Sequence, residues 1–140
     1  MKDYSKLKKI KNDLSFCKDY WTVLYGSFIY YGFIPGRSDI DVAIITQLKD
    51  KNENLNIWKS LWGKYGKIYD VKIFELLPLH LKVKIINKYQ VLFGNKLEIS
   101  EYFYQYRKIW KDMKKRIEEN QFANMHEKLK NLERCQMLFH

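Results

Sequence analysis

The chain has 140 residues, 46% hydrophobic and 30% charged, so it can bury a core and is not a disordered tail. No run approaches the ~20 apolar residues of a membrane span. The formal net charge of +10, carried by 22 Lys and only 4 Arg, raises a nucleic-acid partner, but the excess is spread along the chain as in a Lys-rich solubilising surface.

The opening MKDYSKLKKIKNDL lacks the continuous apolar stretch of a secretory signal, and the expectation is a soluble cytoplasmic protein. Residues 3–19 read as a helix, with Leu7, Ile10, Leu14 and Cys17 at helical spacing and lysines elsewhere. Cys17 and Cys135 have no CxxC or Cys/His cluster around them, so they read as buried free thiols rather than zinc ligands. Trp21–Tyr25 is a β-branched and aromatic run stopped by Gly26, a buried-strand pattern. FIYYGFIPGRS leaves room for one or two helical turns before Gly32, Pro35 and Gly36. Asp39–Ile45 is a second strand, acidic at its start and apolar after.

Asn52–Tyr65 reads as a helix with Leu55, Trp58, Leu61, Trp62 and Tyr65 on one stripe, most simply a packing face. Ile68–Phe74 is a third strand, Tyr69, Val71 and Ile73 alternating with Asp70 and Lys72. Pro78 suits the first turn of a helix running to about Lys88. Val91–Phe93 is a short fourth strand closed by Gly94. From Ser100 the pattern is helical, Tyr106, Trp110, Met113 and Ile117 sharing a face. The stripe then slips by five to Phe122 before Met125, Leu129 and Leu132 resume it, which predicts a kink or turn around Glu119–Gln121. The expected architecture is α/β (α+β): a small mixed sheet with covering helices over residues 1–98, plus a helical extension over 99–140. The extension's apolar face exceeds what so small a sheet needs, so it packs back on the domain, on a second copy or on a partner.

Three features converge on chemistry. Strand alternation points Asp39 and Asp41 to one face, roughly 7 Å apart, while Ile40 and Val42 point to the core. Two like charges on one strand face repel, and become favourable when divalent cations lie between them; hard oxygen donors suit magnesium. Asp70 offers a third carboxylate from another strand, and such a cluster can hold two ions for an in-line phosphoryl displacement. Glu75 competes for that role but sits at the strand's end. Gly26 lets the chain turn sharply after its strand, and Ser27, opening a short helix, offers a hydroxyl and an N–H to an anion. Within the window 21–45, Arg37 stands against Asp39 and Asp41, the one acidic stretch in a basic chain. Arg37 pairs with a phosphate or with Asp39, and Ser38 caps the turn or lies beside the nucleotide. Lys72 shares Asp70's face. His80, His126 and His140 have no partners at ligand spacing.

Gly26–Ser27, eleven residues, then Asp39–Ile40–Asp41–Val42 resembles the signature of the nucleotidyltransferase superfamily related to DNA polymerase β. With GSFIYYG, RSDIDVAI, YDVKIF and LPLHLKVKIINKYQVLFG, residues 20–95 are similar to the minimal nucleotidyltransferases, the antitoxin partners of HEPN-domain toxins. The resemblance implies a polymerase β-like fold and Mg2+-dependent transfer of AMP from ATP to a tyrosine of a HEPN toxin. It assigns Gly26, Ser27, Arg37 and Ser38 to nucleotide binding, and Asp39, Asp41 and Asp70 to two magnesium ions and catalysis. Many relatives carry a basic residue before the glycine that follows the turn, where this chain has Tyr31 before Gly32; that phosphate contact is then either missing or supplied by Arg37, Lys72 or another lysine. Two other functions are compatible with these residues: an antitoxin that neutralises by contact alone, through the helical tail, and nucleotidyl transfer to a small molecule or RNA. A homo-oligomer through the C-terminal helix is a further expectation; a nucleic-acid partner is not expected.

Overall fold

In the computed structural model, residues 4–26, 29 and 39–138 are described. Ser27, Arg37, Ser38, Tyr31 and Gly32, named above as candidate or diagnostic positions, lie outside them. Helix α1 spans Tyr4–Asp13 and passes into a 3₁₀ turn over Ser15–Cys17, shorter than the helix expected to residue 19. The tightening has a packing reason: i→i+3 bonds from the Cys17 amide to the Leu14 carbonyl (2.9 Å) and from Lys18 to Ser15 (3.2 Å) align Leu14 and Cys17, both fully buried. Burial pushes the free Cys17 thiol up to about 12, so it is a packing group rather than a nucleophile.

Strand β1 (Trp21–Tyr25) is followed by β2 (Ile40–Ile45), helix α2 (Lys51–Leu61), β3 (Tyr69–Ile73), helix α3 (Leu79–Asn87), β4 (Gln90–Phe93) and helix α4 (Lys96–Leu138). The Asp50 carboxylate caps α2 by accepting from the Asn52 amide (2.8 Å). This helix ends at Leu61, before the expected Tyr65, because Gly63 turns the chain at φ +82°. Trp62 therefore falls off the stripe and is exposed, resting edge-on against Trp58 at 5.3 Å.

The four strands form one mixed sheet in the order β3-β2-β1-β4, with β2 and β3 parallel and the other pairs antiparallel. Alternation sorts the core into two faces. Leu24, Ile40, Val42, Ile44, Val71 and Ile73 pack with Ile10, Leu14 and Leu61 from the α1 and α2 side. Val23, Ala43 and Ile45 pack on the opposite face with Ile85 and Ile86 of α3 and Ile99 and Phe103 of α4. Each fully buried Leu, Ile or Phe here contributes roughly 1.5–3 kcal/mol.

The chain divides into two compact units, one ending at Tyr106 and the other starting at Arg107. The turn between two helices expected as one outcome near Glu119–Gln121 is absent: α4 is helical throughout that stretch. Glu118, Glu119, Asn120 and Gln121 include no Gly or Pro to break the hydrogen-bond ladder, so the slip moves the apolar stripe around the helix without ending it. In the second unit Phe122, Met125, Leu129 and Leu132 are each more than half exposed.

Candidate active site

The site lies on the second sheet face, at the end of β2 beyond the part covered by α3 and α4 among the described residues. On β2 the inward residues Ala43 and Ile45 sit beneath α3 and α4, whereas Asp41, two residues earlier on the same face, lies at the strand's open end. Asp39 immediately precedes β2 and is exposed; Asp41 is half-buried. Asp70 is Asp41's register partner on β3, and Tyr25 is its partner on β1. With strands about 4.8 Å apart, Asp70, Asp41 and Tyr25 form a row across one end of the sheet.

The electrostatics agree with that row. The Asp41 carboxyl is held above its usual range by burial, then by the like charge of Asp70 and more weakly by Asp39, while Lys72 pulls it down. The Tyr25 phenol is raised by burial and by the carboxylates of Asp41 and Asp70. Lys72 Nζ stands 3.7 Å from Asp70 Oδ2, a half-exposed pair worth little to stability but placing one cation beside Asp70 and within electrostatic reach of Asp41.

Gly26 closes the row from behind. Its φ of +74° is the left-handed region, and a Cβ built there would overlap the Asp41 carboxylate oxygen and lie 3.2 Å from Asp41 Cγ. The turn is thus a cradle that only a residue without a side chain leaves open, with the Ile29 amide donating to the Gly26 carbonyl at 3.0 Å. A carboxylate set of this kind fits a hard cation such as Mg2+ in donor chemistry. Among the described residues, no three His, Cys, Asp or Glu side chains already stand close enough together to hold a metal ion.

Glu75, the competing acid, belongs elsewhere. It follows β3 at the end opposite Asp70, accepting from the Thr46 amide (2.9 Å), the Thr46 hydroxyl (3.2 Å) and the Tyr102 hydroxyl (3.2 Å). Tyr102 in turn pairs with Tyr106 at 3.1 Å. Burial raises the Glu75 carboxyl, opposed by those donors. This is a structural network joining β2, β3 and α4. Tyr25 is the site residue that pattern reading passed over. Its position directly before Gly26 is the one local signal; its pairing with Asp41 is a register that the sequence pattern does not contain.

Comparison with known proteins places these features in context. No family model matches the chain. It is 47% identical over 112 residues to the Methanocaldococcus jannaschii protein named "Putative protein adenylyltransferase MJ1547", spanning 80% of this chain and 86% of that one. Its fold resembles the crystal structure of a toxin–antitoxin with AMP-PNP (TM-score 0.56, 15% identity, 74% of this chain and 88% of that chain). It also resembles the structure of a tri-AMPylated Shewanella oneidensis HEPN toxin in complex with MNT antitoxin (TM-score 0.52, 15% identity, 76% and 85%).

Proposed function

The chain belongs to the minimal nucleotidyltransferases of the protein adenylyltransferase kind, and from that premise we propose that it moves AMP from ATP onto a tyrosine hydroxyl of a HEPN-domain toxin. The observation that carries this reading is the row Asp70–Asp41–Tyr25 with the bare Gly26 turn behind it. Asp39, Asp41 and Asp70 would hold Mg2+, which when bound neutralises the triphosphate's charge. The Gly26 turn leads into Ser27 and the phosphate tail. Asp70, at the sheet edge, takes the proton of the incoming hydroxyl. The hydroxyl oxygen bonds to the α phosphorus in line, the bond to the bridging oxygen breaks, and pyrophosphate leaves. Tyr25 lines the site from the β1 side, its neutral phenol filling space beside Asp41 without adding charge. Such chemistry belongs in the cytoplasm, where MgATP is held. Among the described residues no helix is long and apolar enough to cross a membrane.

The exposed row Phe122, Met125, Leu129 and Leu132 favours a second mode alongside the first: direct association of the C-terminal helix with the toxin or with a second copy. Incubation with α-labelled ATP, Mg2+ and a HEPN-domain protein tests the primary reading. Label should enter the HEPN protein with the wild type and be lost with Asp41→Ala. Equal neutralisation by both proteins without label transfer would leave only the contact mode.

A further inference from the structure

The second unit starts at Arg107, and among its described residues it holds no element besides α4 that could cover an apolar side chain. A helix in water owes most of its stability to the packing of an apolar face, so an exposed face calls for an occupant. Trp110, Met113, Ile117, Gln121, Met125, Leu129 and Leu132 follow one another at spacings of 3, 4, 4, 4, 4 and 3 residues. The series reads the same in both directions, with Gln121 at its centre. From Met113 to Leu129 it is an unbroken i+4 row, the ridge that runs obliquely along a helix surface. Its apolar members Met113, Ile117, Met125 and Leu129 are exposed, as is Leu132, and Trp110 is half-buried. Phe122 flanks the centre, stacked on His126 of the same helix at 6.4 Å.

We propose that this row receives a second copy of the chain, the two α4 helices crossing antiparallel about a two-fold axis at Gln121. The inference takes up the exposed row named above, commits it to one occupant and does not depend on AMP transfer. A two-fold axis that pairs residue i with residue j also pairs j with i. Centred on Gln121, it sets Ile117 opposite Met125 of the second copy, Met113 opposite Leu129, and Trp110 opposite Leu132. Every apolar side chain of the row then meets another, a symmetry that an unrelated partner would not require. Two i±4n ridges interdigitate at a crossing of about −50°, so the row predicts an oblique pair rather than a coiled coil. The two Gln121 amides meet on the axis, each with a donor and an acceptor for the other. Such a polar pair in an apolar contact fixes its register, as a buried Asn does in coiled coils. Charge selects the orientation. Residues 107–117 carry six Lys and Arg against Asp112, whereas 118–138 carry four Glu against three Lys and Arg. Antiparallel crossing lays each basic half over a weakly acidic one, and parallel crossing would set the two basic halves together.

Sedimentation equilibrium of the full chain, without toxin, nucleotide or Mg2+, tests the pair. A particle of twice the chain mass is expected at micromolar concentration, and a monomer up to about 100 μM overturns the proposal. Ile117→Lys and Met125→Glu each set a charge against an apolar side chain and should weaken the pair at least about tenfold. Combining them brings the new lysine of one copy against the new glutamate of the other and should restore association. A double variant no tighter than either single contradicts this register. In a Cys135→Ser background, with Cys17 buried, a short bis-maleimide should link Gln121→Cys to itself and leave Met113→Cys unlinked. Linking at both positions would make the pair parallel, and linking at Met113 alone or at neither would remove the crossing; each overturns the proposal. A monomeric chain whose Ile117→Lys variant loses a HEPN-domain protein would give the row to the toxin and overturn it as well. Transfer is scored on the same proteins. A dimer that passes no label would refute the transfer reading alone, and label passed by a chain that sediments as a monomer would refute the pairing alone.

Discussion

Gly26 and Asp41 meet where β1 ends beside β2, so closely that a methyl group on the glycine would occupy the place of the Asp41 carboxylate oxygen. Gly26→Ala combines a left-handed backbone strain of roughly 1–2 kcal/mol with displacement of that carboxylate. The variant should melt several degrees lower and, at a temperature where it is folded, transfer AMP at least about tenfold more slowly. Thermal melts paired with initial rates check this; a folded variant with the wild-type rate would separate the turn from the chemistry.

Asp41 is burdened by its neighbours, and the burden has a sign. Its folded pKa is raised, chiefly by burial and then by Asp70. Its contribution is therefore most favourable below the ordinary carboxylate value of about 3.9 and is lost as pH rises through the raised folded value. Asp41→Asn should be as stable as the wild type or more so at pH 7 without divalent ions, by roughly 0.2–1 kcal/mol for relief of like charge. Transfer should fall by about 100- to 1,000-fold. Magnesium affinity in the wild type should drop as pH falls through that same raised value, because the ligand must be ionised. Melts and metal titrations between pH 4 and 7 test both halves.

Asp70 and Glu75 are the two acids a sequence reader must choose between, and the fold sends them to opposite ends of β3. Glu75→Ala strands the Thr46 amide and leaves the Tyr102 hydroxyl with Tyr106 alone, a loss of roughly 1–3 kcal/mol. Its transfer rate should stay within about twofold where the protein is folded. Asp70→Ala should show the reverse, near-native melting with transfer reduced at least about 100-fold. Denaturant unfolding and rates on both variants decide the matter; parallel losses in the two would contradict the division.

Much of this was legible because the chain states it locally. The β-branched runs Trp21–Tyr25 and Ile40–Ile45 can bury both faces only as strands, and Asp39 and Asp41 share a parity that alternation must place together. Asp70's pairing with Asp41 is a register, fixed by packing of Val42 and Val71, and no local pattern contains it. Tyr25 was passed over because a tyrosine ending a strand looks like core until its partner across the sheet is known. No turn divides α4 because a slip in the apolar stripe is not a break, and nothing in Glu118–Gln121 interrupts helical hydrogen bonding. Trp62 left its stripe because Gly63 ended the helix first. The Glu75 network joins residues up to 29 positions apart, beyond any reading by spacing.

The exposed row on α4 makes a separate expectation. Met125→Glu and Leu129→Glu should leave melting within about 0.5 kcal/mol, as for other exposed positions. They should weaken association with a HEPN-domain protein or with a second copy by at least about tenfold. Light scattering and pull-down with purified components distinguish the two partners, and unchanged association with both would assign the row no binding role.

The central claim is that three carboxylates and the Gly26 turn bind a metal-bridged nucleotide. Calorimetric titration of AMP-PNP into the full chain, with and without Mg2+, measures it most directly. One saturable site that requires Mg2+ and disappears in Asp39→Asn and Asp41→Asn is the predicted result. Binding of equal strength without Mg2+, or in both variants, would contradict it.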